Sequence, residues 1–168
     1  MYFPSMKHIH VLLVNPPIFD FTAFDFWLRP YGMLRVSGQM KHCCRLDFFD
    51  FLLSRKRDPW GRGGFDTRDI PKPGSLLDIP RKFHRFGKPR EDFQEFLRAR
   101  RYDAVLIQTS MTYWYLGIRE VIEDVRRLQP SAKVVLGGVY PTLCPSHARS
   151  LGADLTIEGA DLEHLFRF

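Results

Sequence analysis

The side chains that could do chemistry in this sequence are small ones at the ends of apolar runs. Thr109-Ser110 follows the run Ala104-Val105-Leu106-Ile107-Gln108, and Gly137-Gly138 follows Val134-Val135-Leu136. A hydroxyl offers a donor and two acceptor lone pairs. A glycine pair removes two Cβ atoms, so a bulky ligand can lie directly on the backbone. This is chemistry of binding rather than catalysis. The same residues have plainer readings: Gly137-Gly138 as a tight strand-to-loop turn, and Ser110 and Thr112 as helix caps. No carboxylate pair, no Ser/His/Asp order and no activated cysteine can be placed, and His147, at a helix start, reads as a surface histidine. Cys43, Cys44 and Cys144 match no zinc or iron–sulfur spacing. Their odd number, with two adjacent, speaks against a disulfide framework. No Gly-x-Gly-x-x-Gly follows the first apolar run and there is no Walker-type lysine, which leaves dinucleotide and nucleoside-triphosphate cradles unsupported. A response-regulator site needs acidic residues after the first and third strands, and the third run ends instead in Gln108-Thr109-Ser110.

The elements that must position these residues follow from periodicity. The β-branched run 8–14 predicts a buried strand that stops at Asn15-Pro16-Pro17. After an aromatic loop (Phe19, Phe21, Phe24, Phe26, Trp27), Pro30 sits at a helix start, and Met33, Val36 and Met40 recur at helical spacing. Gly32 and Gly38 weaken that helix. Residues 46–51 predict a second strand, 102–108 a third and 133–136 a fourth ended by the glycine pair. A fifth strand is expected at 154–157, ending at Glu158-Gly159. Between them, a helix carries Ile118, Val121, Ile122, Val125 and Leu128 on one stripe and ends at Pro130, and a shorter one spans 145–151 before Gly152. Strand and helix alternate as in a parallel sheet with right-handed crossovers. Ligands of such sheets bind beyond the carboxyl ends of the strands.

The 168 residues fit one domain, and 45% hydrophobic with 14% aromatic residues suffices for a core. No apolar run approaches the ~20 residues of a membrane span, and the N-terminus lacks a secretory pattern, so a cytoplasmic location is expected. The net charge of +6 has an address. Residues 51–100 hold 13 Lys and Arg against 7 Asp and Glu, and the rest of the chain is balanced. A basic excess confined to one segment suggests a local surface or an intramolecular partner. Residues 52–100, rich in Gly, Pro and Arg, are read as an insertion with little regular structure that ends in a helix near 91–100. Residues 160–168 begin an amphipathic helix, read as the start of a linker.

Taken in order, Val11-Leu12-Leu13-Val14-Asn15-Pro16-Pro17, Tyr102-Asp103-Ala104-Val105-Leu106-Ile107 with Thr109-Ser110, Val134-Val135-Leu136-Gly137-Gly138-Val139-Tyr140-Pro141-Thr142, Gly152-Ala153-Asp154 and Glu158-Gly159 resemble the N-terminal cobalamin-binding domain of radical S-adenosylmethionine proteins. The resemblance covers 8–51 and 101–163 and leaves the basic insertion outside. It implies a flavodoxin-like, doubly wound α/β fold with a five-stranded parallel sheet in the order 2-1-3-4-5. It also implies a cobalamin site at the strand ends, built from Asn15, Pro16, Pro17, Thr109, Ser110, Met111, Gly137, Gly138, Val139, Tyr140, Pro141, Glu158 and Gly159. Ser110 would hydrogen-bond the buried dimethylbenzimidazole tail, and the glycines would permit its close approach.

One departure is informative. Cobalamin mutases and methyltransferases carry Asp-x-His-x-x-Gly after the first strand, and here that loop reads Asn15-Pro16-Pro17-Ile18-Phe19-Asp20, so no histidine from it ligates cobalt. The expected state is base-off without a histidine ligand. The Cys-x-x-x-Cys-x-x-Cys cluster motif is absent, so the resemblance implies a binding module that is not catalytic alone. Its partner would be a C-terminal radical S-adenosylmethionine domain on the same polypeptide, which would hold the S-adenosylmethionine and the iron–sulfur cluster. Two other readings stay open: a nucleic-acid or acidic-partner module acting through Arg55-Lys56-Arg57 and Arg81-Lys82-Phe83-His84-Arg85-Phe86, or a scaffold whose aromatic loop has filled the cofactor space.

Overall fold

The computed structural model describes residues 9–25, 29–53, 56–61 and 63–159. The expected linker helix at 160–168 lies outside the described residues, as do Phe26, Trp27 and Arg55. In chain order the first elements are β1 (His10–Asn15), β2 (Ile18–Asp20), α1 (Tyr31–Met40) and β3 (Arg45–Asp50). The middle of the chain forms β4 (Lys56–Arg57), β5 (Gly63–Gly64), β6 (Thr67–Ile70), β7 (Phe83–Phe86) and α2 (Arg90–Ala99). Then come β8 (Ala104–Thr109), α3 (Tyr115–Leu128), β9 (Lys133–Gly138), α4 (Val139–Leu143), α5 (Pro145–Arg149) and β10 (Leu155–Ile157).

The apolar runs pair because a strand buried on both faces cannot leave its backbone groups unpaired. β3, β1, β8, β9 and β10 form one sheet in that order, and the pairings given by residue register are all parallel. Counted along the chain this is 2-1-3-4-5, the expected flavodoxin-like topology. Alternation divides the core into two layers. Leu12, Val14, Val105, Ile107, Val134 and Leu136 pack with Ile118, Val121, Ile122 and Val125 of α3 and with Phe93 and Leu97 of α2. On the opposite face Val11, Leu13, Leu106, Val135 and Ile157 meet Met33 and Met40 of α1.

The 52–100 segment is more ordered than its composition predicts. β6 and β7 pair antiparallel with each other, and β7 also pairs with β2, so the loop after β1 and the basic segment build one three-stranded sheet. The signal was hidden because Thr67, Arg68 and Asp69 are exposed and main-chain pairing, not burial, holds them. Several of the segment's basic side chains find partners within the chain. Arg85 is buried against Glu120 of α3, Arg90 reaches the fully buried Asp124, and Arg57 pairs with the buried Asp25. Phe83 and Phe86 are buried too, so the stretch from Arg81 to Phe86 offers no aromatic face for base stacking, although Trp60 earlier in the segment is exposed.

The lower edge of the sheet carries a pH dependence. Asp47 accepts from the Tyr102 hydroxyl (2.9 Å) and lies 2.9 Å from His10 Nε2 and 3.2 Å from Arg100. Burial works against its ionisation, but the Tyr102 hydrogen bond with the His10 and Arg100 charges outweighs it and holds its carboxyl below the usual range. Asp154 behaves alike: burial opposes its charge, and the Val134 N–H (2.7 Å) and Arg126 (2.9 Å) more than compensate. A carboxyl with a depressed folded pKa stabilises above its unfolded value, near 4, and loses that contribution as the pH falls through the folded value. The expected result is a urea midpoint that is flat from pH 7 to about 5 and drops below about pH 4. An Asp47→Asn, Asp154→Asn double variant with the same drop would refute this origin.

Candidate ligand-binding site

At the carboxyl ends of the strands a polar relay ties three strands to a helix. Gln108 Oε1 accepts from the Met33 N–H in the first turn of α1 (3.0 Å), and Gln108 Nε2 donates to Asn15 Oδ1 (3.5 Å). Asn15 Nδ2 in turn donates to Asp50 Oδ1 (2.8 Å), which also accepts the Leu52 N–H (2.9 Å). Gln108 therefore caps one of the N–H groups that the start of a helix leaves unpaired. It fixes α1 over the edge of the sheet.

Below this relay, on the α1 face, lies an apolar cavity of about 240 Å³. Its walls are Met33 and Val36 of α1 and Leu106, Val135 and Ile157 of β8, β9 and β10, and Gln108 lies at its upper edge. Gly137 forms its floor. The glycine pair falls inside β9 rather than after it: Gly137 pairs with Gln108 and Ile157, and Gly138 with Thr109.

The two glycines have different reasons to be glycine. A Cβ on Gly137 would meet only Ile157 Cβ, at 3.9 Å, and a larger side chain would enter the open cavity. A Cβ on Gly138 would stand 2.4 Å from the Thr109 carbonyl oxygen, and its φ of +115° is one that L side chains rarely adopt. The absent Cβ at 138 serves a close contact within the chain. A bulky residue there would disrupt the turn, so only position 137 can report on a ligand. Thr109 completes this turn: its hydroxyl donates to the Gly137 carbonyl (3.0 Å) and accepts the Tyr140 N–H (3.2 Å).

The other residues singled out in the sequence separate into groups. Gly137, Gly138 and Gly159 line the cavity. Asn15, Pro16, Pro17, Thr109 and Ser110 surround a much smaller cleft of about 20 Å³ closed by Ile18, Leu52 and Trp114. Ser110 is half-buried there and its hydroxyl has no partner among the described residues. Neither Ser110 nor Thr112 caps a helix: the turn Thr112–Trp114 and α3 both start without a side-chain cap. Met111 and Val139 are exposed beside the strand ends. Pro141 is buried, and exposed Glu158 pairs with Arg149. Tyr140 is a core residue whose hydroxyl meets Nδ1 of the exposed His147 at 2.5 Å. Burial, with Cys144 and Tyr115 nearby, pushes that hydroxyl up to about 12.

Sequence reasoning missed Gly32, Met33, Arg35, Val36 and Gln108 as site residues. Strand alternation carried part of the signal, since 106 and 108 share a face, as do 135 and 137. None of the described residues of the aromatic loop lines the cavity: Phe19 is in β2, Phe21 packs on Phe83 at 5.2 Å, and Phe24 is exposed. That leaves the closed-scaffold reading without support in the described residues. No described group of His, Cys, Asp and Glu could hold a metal ion, and no described helix is long and apolar enough to cross a membrane.

Comparison with curated proteins finds no match. Among solved structures the chain is similar to a cobalamin-binding protein from Desulfitobacterium hafniense DCB-2 (14% identity, TM-score 0.48), covering 92% of this chain and 54% of that one. The chain thus spans about half the length of that protein. It is equally similar to the response regulator TrrA from Thermotoga maritima (12% identity, TM-score 0.48), with 95% and 94% covered. The family model for the B12 binding domain matches residues 64–165, well over half of the chain. The match starts inside the basic segment, which the sequence reading had left outside the resemblance, and runs through the three strands that wall the cavity. The chain therefore belongs to the B12-binding domain family.

Proposed function

We propose that this domain holds cobalamin with its nucleotide tail in the 240 Å³ cavity between α1 and β8, β9 and β10. The observation that carries this reading is Gly137, a floor position where a side chain would project into open space inside an apolar chamber. When bound, cobalamin supplies a cobalt centre able to carry and hand over an alkyl group. The chain's own residues do the holding. Met33, Val36, Leu106, Val135 and Ile157 exclude water from a flat heterocycle, as apolar pockets with a few placed polar groups do. Ser110 has a hydroxyl free to hydrogen-bond the ligand, and exposed Met111 and Val139 offer apolar contact to a ring above the strand ends.

The loop after β1 contributes no histidine, and its Ile18-Phe19-Asp20 is already committed to β2. With the tail in the cavity the proposed state is base-off, and no ligand to cobalt comes from this loop. The proposed setting is a radical S-adenosylmethionine enzyme whose catalytic domain follows on the same polypeptide and carries the S-adenosylmethionine and the iron–sulfur cluster. Support for that setting comes from the sequence resemblance, and for a non-catalytic role from the lack of any cluster motif in this chain.

The test is a titration of the chain with hydroxocobalamin and methylcobalamin, followed by desalting and visible absorption. The expected result is retained corrin with a base-off spectrum. Loss of all corrin on desalting would overturn the cofactor reading, and a base-on spectrum would overturn tail burial.

A further inference from the structure

Of the residues that line the cavity, Arg35 alone is ionisable. It stands on the exposed side of α1, one position before the wall residue Val36, and it has no hydrogen-bond or ion-pair partner among the described residues. Many arginines of the chain, among them Arg57, Arg85, Arg90, Arg126 and Arg149, are committed to carboxylates, whereas the one at the cavity is not. An apolar slot with one unpaired guanidinium at its edge suits a ligand with a flat apolar body and an anionic group beside it. The guanidinium fork matches two oxygens of a phosphate group.

We infer that Arg35 grips the phosphodiester of the nucleotide tail, so that the domain selects corrins carrying the complete tail over tail-less ones. This rests on the cobalamin reading proposed above. Because Arg35 is exposed, its charge is screened, and the expected effect is about tenfold rather than several hundredfold.

The experiment compares cobalamin with cobinamide, the corrin that lacks the phosphate, ribose and base, on the full chain and on its Arg35→Gln and Arg35→Lys variants. The expected result is that the unsubstituted chain binds cobalamin at least about tenfold more tightly than cobinamide. Arg35→Gln then loses about tenfold for cobalamin and nothing for cobinamide, and Arg35→Lys lies between. The cobalamin affinity of the unsubstituted chain weakens with added salt, and that of Arg35→Gln does so much less. Unchanged cobalamin binding in Arg35→Gln overturns this inference and leaves the cofactor reading standing. So does an equal loss for both corrins, because a phosphate contact cannot weaken a ligand that has no phosphate. Failure of the unsubstituted chain to retain either corrin overturns the cofactor reading and the inference with it.

Discussion

Gly137→Val is expected to lower cobalamin affinity by more than about tenfold, over 1.4 kcal/mol, and to leave the chain folded. The position is the last but one of a strand and is paired on both sides, with Gln108 and Ile157, where valine is favoured and glycine is not. Its Cβ would come no closer than 3.9 Å to Ile157, an ordinary contact, so stability is expected to hold or to rise by up to about 1 kcal/mol. The two methyl groups would enter the cavity and take the space proposed for the tail. Gly137→Ala, with one added carbon, is expected to lose less. Thermal unfolding and corrin retention measured side by side decide the matter. A Gly137→Val chain that folds and still retains cobalamin as tightly as before would move the tail out of this cavity.

Glu120→Ala is expected to destabilise the chain by about 3–5 kcal/mol, because it leaves a buried guanidinium without its counter-charge. Arg85 and Glu120 have side chains only 8% and 11% exposed. Arg85 Nε donates to both Glu120 oxygens at 3.1 Å, and Nη2 donates to Oε1 at 2.8 Å. Nη1 donates to the Lys88 carbonyl at 2.7 Å, and the guanidinium stacks on the Phe51 ring at 5.4 Å. This pair joins β7, and through it β2 and β6, to α3. Its loss therefore acts first on the small antiparallel sheet, which the main core does not contain. Proteolysis between residues 65 and 89 is expected to accelerate before the parallel sheet melts. Replacing both members, Arg85→Met with Glu120→Leu, is expected to recover much of the loss, since a matched apolar pair leaves no buried charge. A midpoint shift worth less than about 1 kcal/mol in Glu120→Ala would show that the pair is not the anchor of the segment.

The parallel sheet was legible in the sequence because burial on both faces writes near-continuous apolar runs such as Val11-Leu12-Leu13-Val14 and Val134-Val135-Leu136. The small sheet was not. Thr67-Arg68-Asp69-Ile70 has no apolar pattern, and Phe83-His84-Arg85-Phe86 buries an arginine that the eye assigns to solvent. Glu120, 35 positions away, supplies the counter-charge that makes that burial tolerable. The same limit applied to the glycine pair. Sequence marked both positions as special without separating the one shaped by Thr109 from the one that faces open space.

By itself, then, the sequence determined the five parallel strands and the absence of a histidine after the first of them, and its family resemblance supplied their order. The strands and the missing histidine depend on local pattern and on residue identity, which a sequence states directly. The tertiary structure decided that the basic segment folds back on α3 and that the cavity lies between α1 and the last three strands. It also decided that Arg35 stands unpaired at the edge of that cavity. Those facts depend on which side chains meet across long separations, and no local period encodes them.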